Sequence, residues 1–249
     1  DVPIEPPARE WAALLERNLA LGARQAFALA GGDVREVRAA TRAAIHAAQG
    51  CRGVIACGHQ PAFVHPGVWA KQVMARRAAE RLGLHGIDLV VDNDAPADPD
   101  LMLPAATDGF VVTHRIPFSS GPAGAAYEGR PRLDASRRQA IREAVRPIDT
   151  LLPGSMLGTY LDGYDPALPA ADFVDEHVRG RVCVDGSLGA SLTESRVGRC
   201  FGGPFVAGLL LNAPAFARAY NDALQAYRRR ENVRGADRPL PDLGRDGGR

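Results

Sequence analysis

The first fifth of the chain carries apolar residues at helical spacing. Between residues 8 and 30 they form a continuous stripe that predicts a helix, and Gly31-Gly32 ends it. Asp33 and Glu36 have the spacing of a capping box, which predicts a second helix ending near Gly50. We therefore expect residues 1–50 to form a helical lead-in.

A strand–loop–helix–strand unit follows. The apolar run Gly53-Val54-Ile55-Ala56-Cys57 is typical of a strand buried on both faces of a parallel sheet. After a loop over residues 58–65, Pro66 opens a helix that Gly83 ends. A second apolar run predicts a strand at 87–91. This order predicts an α/β fold with a Rossmann-like parallel sheet and helical additions.

The remaining pattern is more mixed. A third strand is predicted at 110–116, and Asp134 caps a helix that extends to about residue 145. A helix at 171–179 precedes a predicted strand at 181–185, and a long helix is predicted from 213 to 230. Residues 119–131 are predicted to be an exposed loop, residues 150–170 to be mostly turns, and residues 193–196 to be a loop or helix cap.

The chain of 249 residues fits one large domain with additions. We expect the lead-in of residues 1–50, a Rossmann-like core with a helical insert over residues 51–230, and a flexible tail over residues 231–249. The tail is polar and follows a helix whose apolar residues Leu224 and Tyr227 need a cover. We therefore expect the sequence to be the N-terminal part of a longer protein, or to have lost a C-terminal partner.

The balance of charged residues limits the classes of partner that the protein can attract. With 30 basic and 29 acidic side chains, the formal net charge is +1, which gives no field to attract nucleic acid or an anionic membrane. There is no apolar run long enough to span a bilayer and no leader pattern at the N-terminus. We expect a cytoplasmic protein with a small-molecule substrate, and a homodimer as the candidate assembly.

Four cysteines lack the paired spacing of a zinc site, so no structural metal is expected. The basic residues are more informative, because 29 of the 30 are arginine and Lys71 is the only lysine. A lysine kept in such a composition provides a compact point charge or a titratable amine, which arginine does not. The alternative explanation is that Lys71 was retained by chance in a chain whose codon usage favours arginine over lysine.

The segment Gly58-His59-Gln60-Pro61 lies between a buried strand and a helix, where open α/β sheets bind their ligands. His59 and Gln60 offer hydrogen-bonding groups at the strand tip, and the helix start near Gly67 offers free N–H groups for an anion. Lys71 follows in the second turn of that helix. We predict His59 and Lys71 as catalytic residues, with Gly58, Gln60 and Gly67 binding the substrate or a nucleotide. The alternative is a loop histidine with local hydrogen bonds.

Asp92-Asn93-Asp94 follows the second predicted strand at the same sheet edge. Carboxylates in this position commonly accept hydrogen bonds from ribose hydroxyls, and they also hold Mg²⁺ through water. We predict Asp94 as a catalytic residue, and Asp92 and Asn93 as binding residues. The alternative is an Asx turn that ends the strand.

Weaker candidates surround this site. His114 lies on the third predicted strand, and Arg196 belongs to a polar segment that precedes glycines; the pattern leaves the roles of both open. Asp175-Glu176-His177 is predicted to be a solvated helix face. Nucleotide-binding glycine motifs of the Rossmann and P-loop types are absent from the sequence, as are the nucleophile-elbow and zinc-protease motifs.

The stretch from Val54 to Asp94 resembles the bacillithiol-biosynthesis cysteine-adding enzymes. The matching elements are Gly58-His59-Gln60, Pro66-Gly67, Trp69-Ala70-Lys71 and Asp92-Asn93-Asp94. The His-Gln-Pro and Lys elements are also similar to the WbqC-like family, which is linked to amino-acid transfer onto sugars. A third likeness is to bacterial proteins that carry Gly-His-Gln-Pro, His-Pro-Gly-Val-Trp and Val-Val-Asp-Asn-Asp. His59 stands where the cysteine-adding pattern has a glutamine, and the long coiled coil of those enzymes has no counterpart here.

This resemblance implies an enzyme, a ligase or transferase that forms a C–N bond. It would condense an amine or amino acid with a small sugar-like or acyl acceptor, with ATP or ADP and Mg²⁺ as candidate cofactors. Two alternatives remain open at this point. One is a nucleotidyltransferase-like enzyme in which His59 stabilises a transferring phosphate. The other is a nucleotide- or metabolite-sensing module without catalysis.

Overall fold

The computed structural model describes residues 6–29, 32–44, 53–62, 66–95, 100–119, 121–122, 124–189, 191–200, 203–235 and 242–244. The chain forms two compact units, residues 45–200 and residues 1–44 together with 201–249. The boundaries at residues 50 and 230 that the sequence predicts stay predictions.

A three-stranded parallel sheet lies at the centre of the unit formed by residues 45–200. Its strands are β3 (Val54–His59), β4 (His85–Val90) and β7 (Thr193–Arg196), in that order. Both pairs, β3 with β4 and β4 with β7, are parallel. The predicted Rossmann-like α/β fold with helical additions is thereby confirmed, including the parallel pairing of its first two strands.

Helix α3 (Pro66–Leu82) connects β3 to β4 and packs on both strands. Gly83 ends it with a φ of 63°, a left-handed conformation that favours glycine. At Gly86 a Cβ would lie 3.3 Å from the Ala79 side chain of α3 and 2.6 Å from that of Leu192. Glycine here allows helix and strand to approach closely, which fixes α3 against one face of the sheet.

The hairpin of β5 (Asp100–Thr107) and β6 (Phe110–Pro117) is a separate two-stranded antiparallel sheet. The strand predicted at 110–116 is confirmed, and it pairs with β5 outside the parallel sheet. Asp108 and Gly109 both have positive φ, which is the turn geometry that suits the twist of a two-residue hairpin.

Helices α4 (Ala135–Leu151), α5 (Leu157–Asp162) and α6 (Phe173–Ser187) contribute most of the hydrophobic core. Asp134 caps α4 as predicted, accepting a hydrogen bond of 2.7 Å from the Arg137 backbone N–H. Asp172 caps α6 in the same way through Asp175. Side chains from these helices pack with Val90, with the hairpin and with the segment that follows the hairpin. The core includes Leu103, Phe118, Tyr127, Ile141, Tyr160, Tyr164, Phe173 and Val174.

Three sequence predictions are wrong in this region. Residues 181–185 belong to α6 instead of forming a strand, because the cap at Asp172 begins a helix that continues for 15 residues. Glu176 and His177 are buried instead of solvated. Residues 193–196 form a strand, β7, because their backbone pairs with β4 although they contain no apolar residue.

The second unit contains α1 (Trp11–Arg24), α2 (Val34–Ala44), α7 (Pro204–Leu211) and α8 (Ala213–Arg230). Helix α8 has the bounds predicted from the sequence. Helix α1 ends earlier than predicted, because β1 (Ala28–Leu29) pairs antiparallel with β2 (Gly32–Asp33). In the described tail, Leu243 contacts Asn221 of α8 and Asp242 contacts Arg228 of α8. Within the described ranges, every helix is too short or too polar to cross a membrane.

Candidate functional site

One row of polar side chains crosses the parallel sheet. Cys57 of β3 is the register partner of Asp88 in β4, and Asp88 is the register partner of Glu194 in β7. Residues at one level of adjacent parallel strands project to the same face of the sheet. Three titratable groups therefore lie side by side on a face that α3 and α6 cover, where apolar residues are the usual occupants.

Arg181 of α6 lies over this row. Its Nη2 is 2.5 Å from Asp88 Oδ2, and the same nitrogen donates to Glu194 Oε2. Asp88 also accepts hydrogen bonds from Gln72 Nε2 at 2.8 Å and from the Cys57 thiol at 3.4 Å. Asp88 is 1% exposed and Arg181 is 2% exposed. Such buried charges persist only when they are paired, so the two helices are tied to the sheet through Arg181.

Asp185 adds a third carboxylate near Arg181, one helical turn further along α6. Its Oδ1 accepts a hydrogen bond of 3.0 Å from Trp69 Nε1 of α3. Burial, with Asp88 nearby, raises the pKa of Asp185. Burial also raises the pKa of Glu194, to about 7, and Asp88 and Asp185 add to the effect. One guanidinium thus lies near three carboxylates, and the pKa values of Asp185 and Glu194 are raised chiefly by burial.

A buried hydrogen-bonded group lies beside this cluster. The hydroxyl of Tyr160 contacts His177 Nδ1 and lies 2.8 Å from the hydroxyl of Tyr164. Burial lowers the pKa of His177 well below its usual value, and the positive charge of Arg181 and the nearby His59 lower it further. Burial raises the pKa of both tyrosines. At neutral pH, His177 is therefore an uncharged imidazole and both tyrosines keep their protons.

A cavity of about 340 Å³ lies next to these groups. Its volume is at the lower end of the range for small-molecule sites, and it corresponds to about ten water molecules at roughly 30 Å³ each. The lining residues come from α3, α5, α6 and the segments beside them: Ala62, Trp69, Met156, Leu157, Tyr160, His177, Arg181, Val184, Asp185 and Leu188. The cavity is therefore mostly apolar, with a few polar groups at fixed positions.

The predicted Gly58-His59-Gln60 segment does not line this cavity, although Ala62, two residues further on, does. Gly58 allows β3 to lie close to β4, since a Cβ there would lie 2.9 Å from Leu89 O. His59 Nδ1 is 3.0 Å from Gln60 O. A carbonyl oxygen only accepts, so Nδ1 carries the proton and Nε2 of a neutral His59 is an acceptor. Gln60 Nε2 donates to Asp94 Oδ2 at 2.9 Å, which joins the two predicted site segments.

Asp92 has a different environment from the one its motif indicates. It is fully buried, and it accepts 2.7 Å hydrogen bonds from Arg196 Nε on one oxygen and from Gly198 N on the other. Arg196 also binds Asp172 and Asp175. Both oxygens of Asp92 are thus engaged by donors, which does not fit a magnesium ligand. Arg196, whose role the sequence leaves open, links β7 to the segment after β4 and to the start of α6.

The other predicted residues are exposed. Gly67 lies in the first turn of α3 and Asn93 follows β4, both at the surface. Lys71 is exposed on α3, and it makes no hydrogen bond or ion pair with any residue in the described ranges. Trp69 and Gln72, its neighbours on the helix, contact Asp185 and Asp88. His114 is exposed on β6.

Sequence reasoning missed the residues that form the cavity wall. His177, Arg181 and Asp185 follow one another at intervals of four, so they share one face of a helix. That spacing was a usable signal, but the alternation of Arg181-Val182-Cys183-Val184-Asp185 concealed it by imitating a strand. Glu194 and Asp88 gave no signal, because each is a single acidic residue within a predicted loop or strand.

Comparison with protein-family models found no match, and comparison with curated proteins found none either. Fold and site therefore define the class of this chain: a Rossmann-like α/β protein with a cavity of small-molecule size lined by α3, α5, α6 and the segments beside them. Among the described residues, no group of three His, Cys, Asp or Glu side chains is arranged to hold a metal ion.

Proposed function

We propose that this protein is an enzyme that forms a C–N bond between an amine or amino acid and a small sugar-like or acyl acceptor. The observation that carries the proposal is the position of Asp185. This carboxylate is 2% exposed, lines the cavity, and has one oxygen fixed by Trp69. A buried carboxylate in an apolar cavity attracts a cation of complementary size, and an ammonium group is the organic cation that C–N bond formation uses.

Asp185 also suits the chemistry that follows binding. An ammonium ion is not a nucleophile, so it must lose a proton before it attacks an acceptor carbon. Burial raises the pKa of Asp185, which makes it a stronger base than an exposed carboxylate. Asp185 would hold the ammonium and take one proton from it, which frees the nitrogen lone pair for attack; that proton passes to solvent. The second proton, lost from nitrogen once the C–N bond has formed, would go to the departing group as its bond to the acceptor carbon breaks. Trp69 keeps the carboxylate in one orientation throughout.

The rest of the wall suits the body of the amine. Trp69 and Tyr160 line the cavity together with aliphatic side chains. Aromatic faces attract cations, by about 0.5–2 kcal/mol depending on desolvation. His177 is uncharged at neutral pH, so it does not repel the ammonium, and its hydrogen bond to Tyr160 orients both side chains.

The acceptor would lie at the carboxyl ends of the strands, where His59 and the Gln60–Asp94 pair meet. A neutral His59 presents an acceptor nitrogen, which suits a general base better than a donor to a transferring phosphate. Lys71 is the candidate clamp for an anionic part of the acceptor or for ATP, because it is a cation in the described part of α3 without an ion pair.

Ligand binding is the first test of this proposal. Thermal unfolding is followed with a panel of amines, amino acids and nucleotides, since a ligand at 100 times its dissociation constant stabilises a protein by about 2.7 kcal/mol. Amines or amino acids that raise Tm are then incubated with acyl and sugar acceptors, with and without ATP and Mg²⁺, and the products are examined by mass spectrometry. A panel in which no amine or amino acid raises Tm would exclude the proposed function.

A further inference from the structure

Charge around the cavity distinguishes between the two substrate classes of the proposed function, amines and amino acids. Three carboxylates, Asp88, Asp185 and Glu194, face the single guanidinium of Arg181. When all four groups are ionised, two negative charges are in excess. An amino acid would add a carboxylate to this environment, whereas a simple amine would add only a positive charge.

Arg181 does not provide a carboxylate site. Among the lining residues that the structure describes, it is the one cationic side chain. Its Nη2 is already bound to Asp88 and Glu194, and its Nε and Nη1 are buried beyond the reach of solvent without a partner in the described ranges. A ligand in the cavity therefore meets the hydrocarbon of Arg181 and not its N–H groups. The carboxylate of an amino acid would be left without a donor of opposite charge.

Asp185 supplies a negative charge in the cavity that an ammonium group can pair with. It is 2% exposed and lines the cavity, and its Oδ2 makes no hydrogen bond to any residue in the described ranges. Oδ2 is not among the fully buried atoms without a partner, so it opens to the cavity, where a cationic donor would satisfy its charge and hydrogen bonding together. An ammonium group is the smallest organic donor that does both.

The hydrocarbon part of the ligand follows from the wall. Trp69, Tyr160, Leu157 and Leu188 leave a space of about 340 Å³, which fits a body of the size of a phenyl or branched aliphatic group. We infer that the cavity selects a small organic amine with an apolar body and no carboxylate, and that it rejects the corresponding amino acid. This inference rests on the proposed function and narrows its substrate class.

Matched ligands test it by isothermal titration calorimetry on the full chain. The first set is phenethylamine, phenylalanine and 3-phenylpropionate, and the second is 3-methylbutylamine, leucine and 4-methylpentanoate. Within each set the body is kept while the amine, the carboxylate or both are present. We expect the amine of at least one set to bind at least tenfold more tightly than its amino acid, and both carboxylates without an amine to show no binding.

Two variants are titrated with the same ligands. Asp185→Asn keeps the acceptor for Trp69 and removes the charge, so it should weaken amine binding at least tenfold. Glu143→Gln removes one charge from an exposed position on α4 and should leave binding unchanged. Amino acids that bind as tightly as the amines would overturn the inference and leave the proposed function standing. Failure of both amines and amino acids to bind the folded protein would overturn both.

Discussion

The indole N–H of Trp69 donates a 3.0 Å hydrogen bond to the carboxylate of Asp185, joining two residues that are 116 positions apart. Trp69 lies on α3, the helix that follows the predicted site loop, and Asp185 lies on α6. The bond fixes the orientation of Asp185, the one carboxylate among the described residues that line the cavity. The proposed amine site depends on this pair more than on any other contact.

The first prediction concerns the charge of Asp185. Asp185→Asn keeps the hydrogen bond from Trp69, so the fold should be preserved. Burial raises the pKa of this carboxylate, because its charged form is poorly solvated there, and the neutral amide does not carry that cost. We expect Tm at neutral pH to be equal to that of the wild type or higher, while amine binding weakens by about 1.5–3 kcal/mol, the usual contribution of a charged hydrogen bond. Equal affinities in calorimetry would remove Asp185 from the site.

The second prediction is a pH dependence that comes from Glu194. Its pKa is raised from 4.5 to about 7 in the folded protein, chiefly by burial. Protonation therefore stabilises the fold: the effect is fully present below pH 4.5 and is lost as the pH rises through about 7. Glu194→Gln stays neutral, so its stability relative to wild type should increase from about pH 5 to about pH 8, by up to about 3 kcal/mol.

Urea denaturation at several pH values measures this difference. The exposed Glu143→Gln is the control, and its stability relative to wild type should stay constant over the same range. A Glu194→Gln protein that follows the pH dependence of the wild type would show that Glu194 is ionised throughout in the fold.

The third prediction concerns Arg181, which forms ion pairs with both Asp88 and Glu194. Arg181→Met keeps much of the hydrocarbon and leaves two carboxylates buried without a cation. Removing one partner of a buried ion pair costs about 3–5 kcal/mol, so we expect a large loss in urea denaturation at pH 8. The loss should be smaller at pH 5, where Glu194 is protonated.

The matched control is Arg199→Met. Arg199 also pairs with a carboxylate, that of Asp175, but its side chain is 67% exposed. Exposed ion pairs contribute about 0–1 kcal/mol, so this variant should be nearly as stable as the wild type. Equal losses in the two variants would mean that the Arg181 cluster is solvated.

The sequence predicts the elements whose covered residues are apolar, and it misses an element whose covered residues are polar. Strands β3 and β4 were predicted because most of their residues are apolar, and α8 was predicted because its apolar period is regular. Strand β7 was not predicted, since Thr193-Glu194-Ser195-Arg196 has no apolar residue. Its side chains are partly covered through ion pairs with Arg181 and Asp92, contacts that only the assembled fold brings together.

The candidate site shows the same division. The sequence indicated the sheet edge near His59 and the link from that loop to the acidic segment, and the structure joins Gln60 to Asp94. The residues of α6 were missed because Val182 and Val184 alternate with polar neighbours, as in a strand. Asp92 matched a ligand motif, yet Arg196 and Gly198 engage both of its oxygens. A local pattern identifies the edge of a sheet, while partners distant in the chain decide what each carboxylate does.

The fourth prediction separates the two ligands of the proposed reaction. Lys71 is exposed and does not line the cavity, so Lys71→Arg should leave amine binding unchanged. If Lys71 clamps an anionic acceptor or ATP, the same variant should weaken binding of that anion, because a forked guanidinium does not replace a point charge. Titration of both variants, Lys71→Arg and Lys71→Ala, with ATP and with the amine measures this. Unchanged ATP affinity in both would remove Lys71 from the site.

The most direct measurement uses the fluorescence of Trp69. The chain has two tryptophans, Trp11 and Trp69, so Trp11→Phe leaves a single reporter in the wall of the cavity. Titration of this protein with phenethylamine and with 3-methylbutylamine should give a saturable change for at least one of them. The same titration of Trp11→Phe with Asp185→Asn should show saturation only at concentrations at least tenfold higher. No saturable change with either amine, or the same titration curve in both proteins, would contradict the amine site.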